Sequence, residues 1–270
     1  MTSYRICIIG DSHVAAFKNG WDEIAARYPH VEIVYFARQR QGLFQLVHEG
    51  TIITLNRRVA RNFLQRMFGY TELDTSGIDL FVCVGMMEAV HAFAEMQAGH
   101  KLAAQSATGR QYVSDAAYVA AYADLFQASV MGHVVRTLSQ AGVKKALVSL
   151  KPRHNEELLD RRTATAKCYR SLIAEGHGAH LARLLEDGLG RVLPPGFRYV
   201  APPSEVLTND LLTTREFSSG SVKLRSEHEH DDKETKHMNA DYGARMLTAM
   251  FEEIGIEPRE TPERDLPHDR

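Results

Sequence analysis

Short apolar runs alternate along this chain with stretches in which apolar side chains return every three or four positions. The run that begins at Arg5 and stops before Gly10 reads as a strand, as do Val31 to Phe36, Leu80 to Val84, Ala146 to Leu150 and Phe197 to Val200. Between them lie helical stripes. Val14, Phe17, Trp21, Ile24, Ala25 and Tyr28 form one, stopped by Pro29, and Val59, Phe63, Leu64 and Met67 form another, stopped by Gly69. A long amphipathic segment runs from Asp115 through Tyr118, Tyr122, Leu125, Phe126 and Leu138 to Gly142. A helical region from about Thr163 to Leu189 is interrupted by Gly176 and Gly178. A last helix, Ala240 to Ile254, carries Tyr242, Met246, Met250 and Ile254 on one face.

Strands that alternate with helices imply βαβ crossovers, and therefore a parallel sheet covered on both faces. The expected fold class is α/β, a three-layer α/β/α sandwich on a parallel sheet of about five strands. One domain is expected over residues 1–256, with long loops at 88–114 and 202–236 and a polar tail at 257–270. Ligands of such sheets bind beyond the carboxyl ends of the strands, where strand order reverses. That rule gathers Ser12, Gly42, Gly85 and Lys151 around one crevice.

Composition narrows the partners. With 44% hydrophobic and 24% charged residues and a formal net charge of −2, the chain offers no basic face for nucleic acid or an anionic membrane. Neither partner is expected. No window approaches the roughly 20 apolar residues that span a bilayer, and no export signal precedes the first strand. The three cysteines, Cys7, Cys83 and Cys168, show no paired spacing. A cytoplasmic location is the default expectation, and a homo-oligomer is compatible with all of this.

The chemistry begins at Gly10-Asp11-Ser12-His13, where the first strand turns sharply into a helix. A serine there stands at the carboxyl end of a strand and the amino end of a helix, a place whose unpaired N–H groups and dipole favour a developing oxyanion. Ser12 or Asp11 would serve equally well as a helix cap. A nucleophilic role therefore requires a base elsewhere. His237, at the end of Glu-His-Glu-His-Asp-Asp-Lys-Glu-Thr-Lys-His and just before the final helix, is the candidate. Glu234 is placed to orient it, with Asp231 and Asp232 as competitors. His228, His230, Asp231 and His237 also permit a zinc reading, but the spacing of the histidine pair is not a familiar one, and neither metal nor cofactor is expected.

Elbow and terminal histidine together resemble the SGNH, or GDSL-like, hydrolase family. Ile9-Gly10-Asp11-Ser12-His13 matches its first block, with histidine in place of the usual leucine. Glu234-Thr235-Lys236-His237 matches its last, with glutamate in place of aspartate. The resemblance implies a flavodoxin-like sheet, a triad of Ser12, His237 and Glu234, and Gly42 as an oxyanion glycine. The third block departs. Gly85-Met86-Met87-Glu88 puts Met87 where the family has an oxyanion asparagine, and a thioether donates no hydrogen bond. Arg153, His154 or His91 is then expected to complete the hole, or the Ser12 and Gly42 amides act alone, or hydrolysis is lost. His13 is expected to line the crevice. The implied activity is that of a serine esterase or deacylase acting on a small acyl ester, such as an O-acetyl group on a carbohydrate-like or other polar metabolite. Acyl transfer by the same site, and a non-catalytic binder on a decayed hydrolase scaffold, are the alternatives.

Overall fold

The computed structural model describes residues 3–88, 90–91, 96, 100–102, 111–224, 226, 228–231 and 234–259. The five apolar runs form one sheet: β1 (Tyr4–Gly10), β2 (Val31–Ala37), β3 (Leu80–Val84), β4 (Ala146–Ser149) and β5 (Phe197–Tyr199). Every pairing is parallel, in the order β2-β1-β3-β4-β5. This is the flavodoxin-like order, which reverses direction between β1 and β3.

The helices are α1 (Val14–Ile24), α2 (Arg58–Phe68), α3 (Asp115–Ala128), α4 (Val130–Gln140), α5 (Ala164–Ala174), α6 (Gly178–Gly190) and α7 (Ala240–Glu253). Alternate strand residues face opposite layers, so the sheet feeds two cores. Cys7, Ile9, Phe81, Cys83, Ala146 and Val148 pack with residues of α2 to α6. Ile6, Ile8, Leu80, Val82, Val84 and Leu147 pack against α1 and α7. The chain is a three-layer α/β/α sandwich, and its continuous apolar strands are what burial on both faces demands.

Two glycines let α1 and α7 come unusually close. A Cβ at Gly20 would stand 2.3 Å from Ala244 N, and one at Gly243 would stand 1.9 Å from the Ala16 carbonyl oxygen. Backbone meets backbone here, so these positions accept no side chain. The contact matters for function because Ser12 lies just before α1 and His237 just before α7.

Three segments differ from the pattern-based expectation. The long helix from Asp115 is two helices, broken at Ser129, whose Oγ accepts from Gly132 N–H at 3.0 Å and so caps α4. Serine competes with the helix for its own backbone groups, and that competition ends α3. Leu46–Glu49, Ile52–Leu55 and Glu72–Asp74 form a small antiparallel sheet that the apolar pattern did not mark. Its first strand exposes Val47, His48 and Glu49 to solvent, leaving no apolar run to read. The described residues of the long loop expected at 202–236 form short hydrogen-bonded pieces. A two-stranded hairpin pairs Leu207–Thr208 with Leu212–Thr213, and a second closes through His230 N–H to Ser221 C=O at 2.8 Å. Much of the loop expected at 88–114, and the tail from residue 260, lie outside the described residues. No helix among the described residues is long and apolar enough to cross a membrane.

Candidate functional site

β1 delivers Asp11, Ser12 and His13 to the switch point. Had Ser12 been a cap, its hydroxyl would have turned back onto α1. Instead α1 starts at an N-cap, His13, with no side-chain cap bond, and Ser12 Oγ lies 3.0 Å from His237 Nε2. The two residues are 225 positions apart in sequence.

His237 is held from its carboxyl side. Asn239 caps α7 by accepting from Tyr242 N–H at 3.1 Å, and its side-chain amide donates to the Glu216 and Ser219 carbonyls at 2.7 and 3.0 Å. The same residue's N–H donates to Phe217 C=O at 2.8 Å. The chain before α7 is thereby pinned to the loop at 215–219.

Of the acids weighed for orienting His237, Glu234 lies 3.8 Å from Nδ1, within ion-pair range but beyond a hydrogen bond. The His237 imidazole beside it holds the Glu234 carboxyl down at about 2, against the opposing effect of burial. Asp231 gives its carbonyl to Glu234 N–H at 2.7 Å, which shapes this turn. Asp232 lies outside the described residues.

The His237 ring sits in a stack of three imidazoles. His13 lies on one neighbour contact at 4.8 Å between centroids and 19° between planes, and His230 on another at 4.0 Å and 11°. His13 is buried, and its Nδ1 lies 2.7 Å from Asp11 Oδ1. Nothing in Glu-His-Glu-His signals the hairpin that folds His230 back onto His237. Burial, together with the His237 ring, pulls the His230 imidazole down to about 4.

Asp11 organises the turn after β3. Its Oδ1 accepts from His13 N–H at 3.1 Å and its Oδ2 accepts from Met86 N–H at 3.1 Å, across the switch point. Burial alone would raise this carboxyl, but the charge and hydrogen bonds of His13 outweigh it and hold it at about 2. Gly85, at φ +72°, could not carry a side chain, since a Cβ would fall 2.3 Å from Asp11 Oδ1. Met86 follows in the same left-handed region at φ +63°, a costly conformation for a residue with a side chain.

The expected oxyanion groups are placed as follows. Met87, 7% exposed, lines an open cleft of about 540 Å³ together with Asp11, Gln41, Phe44, Glu88 and Lys151, a cleft that neither Ser12 nor His237 lines. Gly42 does not offer a free donor. The chain after β2 winds into a 3-10 turn, Arg40–Gln45, and the Gly42 N–H is spent on Gln39 C=O at 3.2 Å. Arg153 places one guanidinium N–H on the Asp210 carbonyl, while its Nε–H has no hydrogen-bond partner among the described residues. His154 Nδ1 pairs with Thr235 Oγ1 at 2.8 Å, and its ring meets His91 edge to face at 5.5 Å. Burial foremost, then the Lys236 charge, pull His154 down to about 4, so it is neutral near pH 7. It braces the turn that carries Glu234 and His237.

Sequence reasoning also missed the ion pair across the cleft. Lys151 Nζ reaches Glu88 Oε1 at 3.0 Å, and the charge of Lys151 holds the Glu88 carboxyl below its usual range despite burial. Both residues lie just past strand ends, the signal that already gathers Lys151 to the crevice and that extends equally to Glu88.

The chain matches no protein-family model and no curated protein sequence. Among solved structures it is similar to the periplasmic domain of a lipopolysaccharide acetyltransferase from Salmonella ser. Paratyphi A. The identity is 10%, over 93% of this chain and 84% of that one, with a TM-score of 0.43.

Proposed function

We propose that the protein is a serine esterase or deacylase that cleaves a small acyl ester, such as an O-acetyl group on a carbohydrate-like or other polar metabolite. The observation that carries this reading is the 3.0 Å contact between Ser12 Oγ and His237 Nε2. In the proposed cycle Ser12 Oγ attacks the ester carbonyl carbon while His237 Nε2 takes its proton. The alcohol leaves with that proton, an acyl group stays on Ser12, and a water activated by His237 releases the acid. A sugar hydroxyl in place of water would make the same site an acyltransferase.

Glu234 is the proposed orienting acid. Its 3.8 Å separation from Nδ1 must shorten to about 2.8 Å in the loaded site, a tightening common on going from empty to occupied sites. With the Gly42 N–H spent on Gln39, the Ser12 N–H at the amino end of α1 is the proposed oxyanion donor. One missing donor costs on the order of 10²–10³ in rate, so slow turnover is expected. The cleft that Met87 lines is of small-ligand size, and Gln41, Glu88 and Lys151 give its mainly apolar lining a few polar groups with which to meet a compact ester.

The apolar Met87 favours one second reading, a binding protein that has kept the scaffold and lost hydrolysis. A fluorophosphonate probe separates the two. Stoichiometric labelling of Ser12, with aryl-ester hydrolysis lost in Ser12→Ala and His237→Ala, is expected of the esterase. Absent labelling in a folded protein rejects it.

A further inference from the structure

His237 uses only one of its ring nitrogens on Ser12. The other, Nδ1, has no hydrogen-bond partner among the described residues, and neither has Nε2 of His230. A ring nitrogen of each of these two histidines and a Glu234 carboxylate oxygen all lie within 4.8 Å of one another, His237 Nδ1 standing 3.8 Å from Glu234. Two imidazoles and a carboxylate form a ligand set that suits zinc and leaves a fourth position open. A small polar cavity of about 100 Å³, lined by His230, Asp231, Glu234, Glu157 and Asn155, adjoins the group. It offers room for a water on that fourth position.

We propose that His230, Glu234 and His237 bind a divalent cation of the zinc class, and that its binding switches the serine site off. Glu234 and His237 are nearly in place. Their 3.8 Å separation is close to the roughly 3.4 Å between two ligands on a tetrahedral zinc. His230 is the part that moves. Its ring now stacks on His237, and nitrogens of parallel rings do not point at one ion, so His230 tilts out of the stack to complete the site.

The switch follows from the tautomer. An imidazole that binds metal through Nδ1 carries its remaining proton on Nε2. Nε2 then donates to Ser12 Oγ and can no longer accept its proton. For a neutral ring the proton count is unchanged, since the proton leaves Nδ1 and appears on Nε2. The metal also takes the Glu234 carboxylate from its orienting role. The binding half of this inference stands on the ligand geometry alone, whereas the inhibitory half rests on the esterase reading above.

The experiment titrates zinc alone into the full chain against a chromogenic chelator, and follows fluorophosphonate labelling and aryl-ester hydrolysis in the same samples. Expected are one zinc per chain, labelling and hydrolysis slowed at least about tenfold, and full recovery with excess chelator. His230→Gln should weaken zinc binding at least about tenfold and remove the inhibition, since even an outer partner of a metal ligand is worth that much. His230→Cys, which keeps a zinc ligand, should retain both, so a general folding defect at this position is recognised. No zinc bound by the wild-type chain, or zinc bound equally well by His230→Gln, overturns the site. Zinc that binds there and leaves labelling and hydrolysis unslowed overturns the switch. A chain that binds zinc in a His230-dependent way but never labels Ser12 keeps the site and rejects the esterase.

Discussion

Replacing Gly243 by alanine tests whether the α1–α7 contact sets the distance between Ser12 and His237. The new Cβ would stand 1.9 Å from the Ala16 carbonyl oxygen, 2.4 Å from its carbon and 2.9 Å from Phe17 N. All three are backbone atoms of α1, so no side-chain rotation relieves the clash. Ordinary contact begins near 3.4 Å, which means that the helices must part by about 1.5 Å at this point. Overpacking of this kind costs about 1–3 kcal/mol, and each kcal/mol lowers the melting temperature of a domain this size by roughly 2–4 °C.

The same displacement acts on the site. Ser12 lies two residues before α1 and His237 three residues before α7, so parting the helices lengthens the 3.0 Å contact. A misplacement of about 1 Å costs on the order of 10² in rate. Fluorophosphonate labelling rate and aryl-ester kcat, measured below the melting transition of the variant, read this loss directly. Gly20→Ala should do the same from the other helix, where a Cβ meets Ala244 N at 2.3 Å. Gly190→Ala is the control: it ends α6 with nothing within 4 Å and should gain up to about 1 kcal/mol. If Gly243→Ala melts and labels like the wild-type chain, the contact does not govern the site and the reasoning fails.

Gly85→Ala should lower the urea midpoint, by about 1–3 kcal/mol in unfolding free energy, because it strains a left-handed residue and drives a methyl into Asp11 Oδ1; an unchanged midpoint would show that the Asp11 clamp is dispensable. His154 should make stability depend on pH. Its folded pKa, about 4, lies below its ordinary 6.5, so the unfolded chain takes up the proton first. The contribution is complete above about pH 6.5 and falls away as pH drops toward 4, by on the order of 3 kcal/mol. His154→Gln should flatten that slope in urea unfolding between those two pH values, and an equal slope in both proteins would discard the assignment.

The layered sheet was legible because each of its strands is buried on both faces, and a continuous apolar run bounded by turn residues says so without reference to the rest of the chain. The Ser12–His237 pairing was legible for a different reason, since an elbow and a histidine before the last helix both fall at the carboxyl edge that parallel strands share. The stack of His13, His237 and His230 was not. The contact of His230 depends on a hairpin closed by backbone hydrogen bonds from His230 to Ser221 and from Lys223 to His228, and such bonds leave no mark in side-chain pattern.

Gly42 and Arg153 teach the complementary lesson. Residue type identified each as a donor, but a donor serves a site only through an unspent N–H aimed at it; Gln39 accepts the Gly42 proton, and Asp210 turns one edge of the Arg153 guanidinium to itself. Local sequence determines periodicity, turn chemistry and the kinds of group a chain can offer, because these depend on neighbours a few residues away. Which carbonyl takes each proton, how near α7 comes to α1, and how the rings of three histidines stack are settled between segments up to 225 residues apart, by packing that no local pattern encodes.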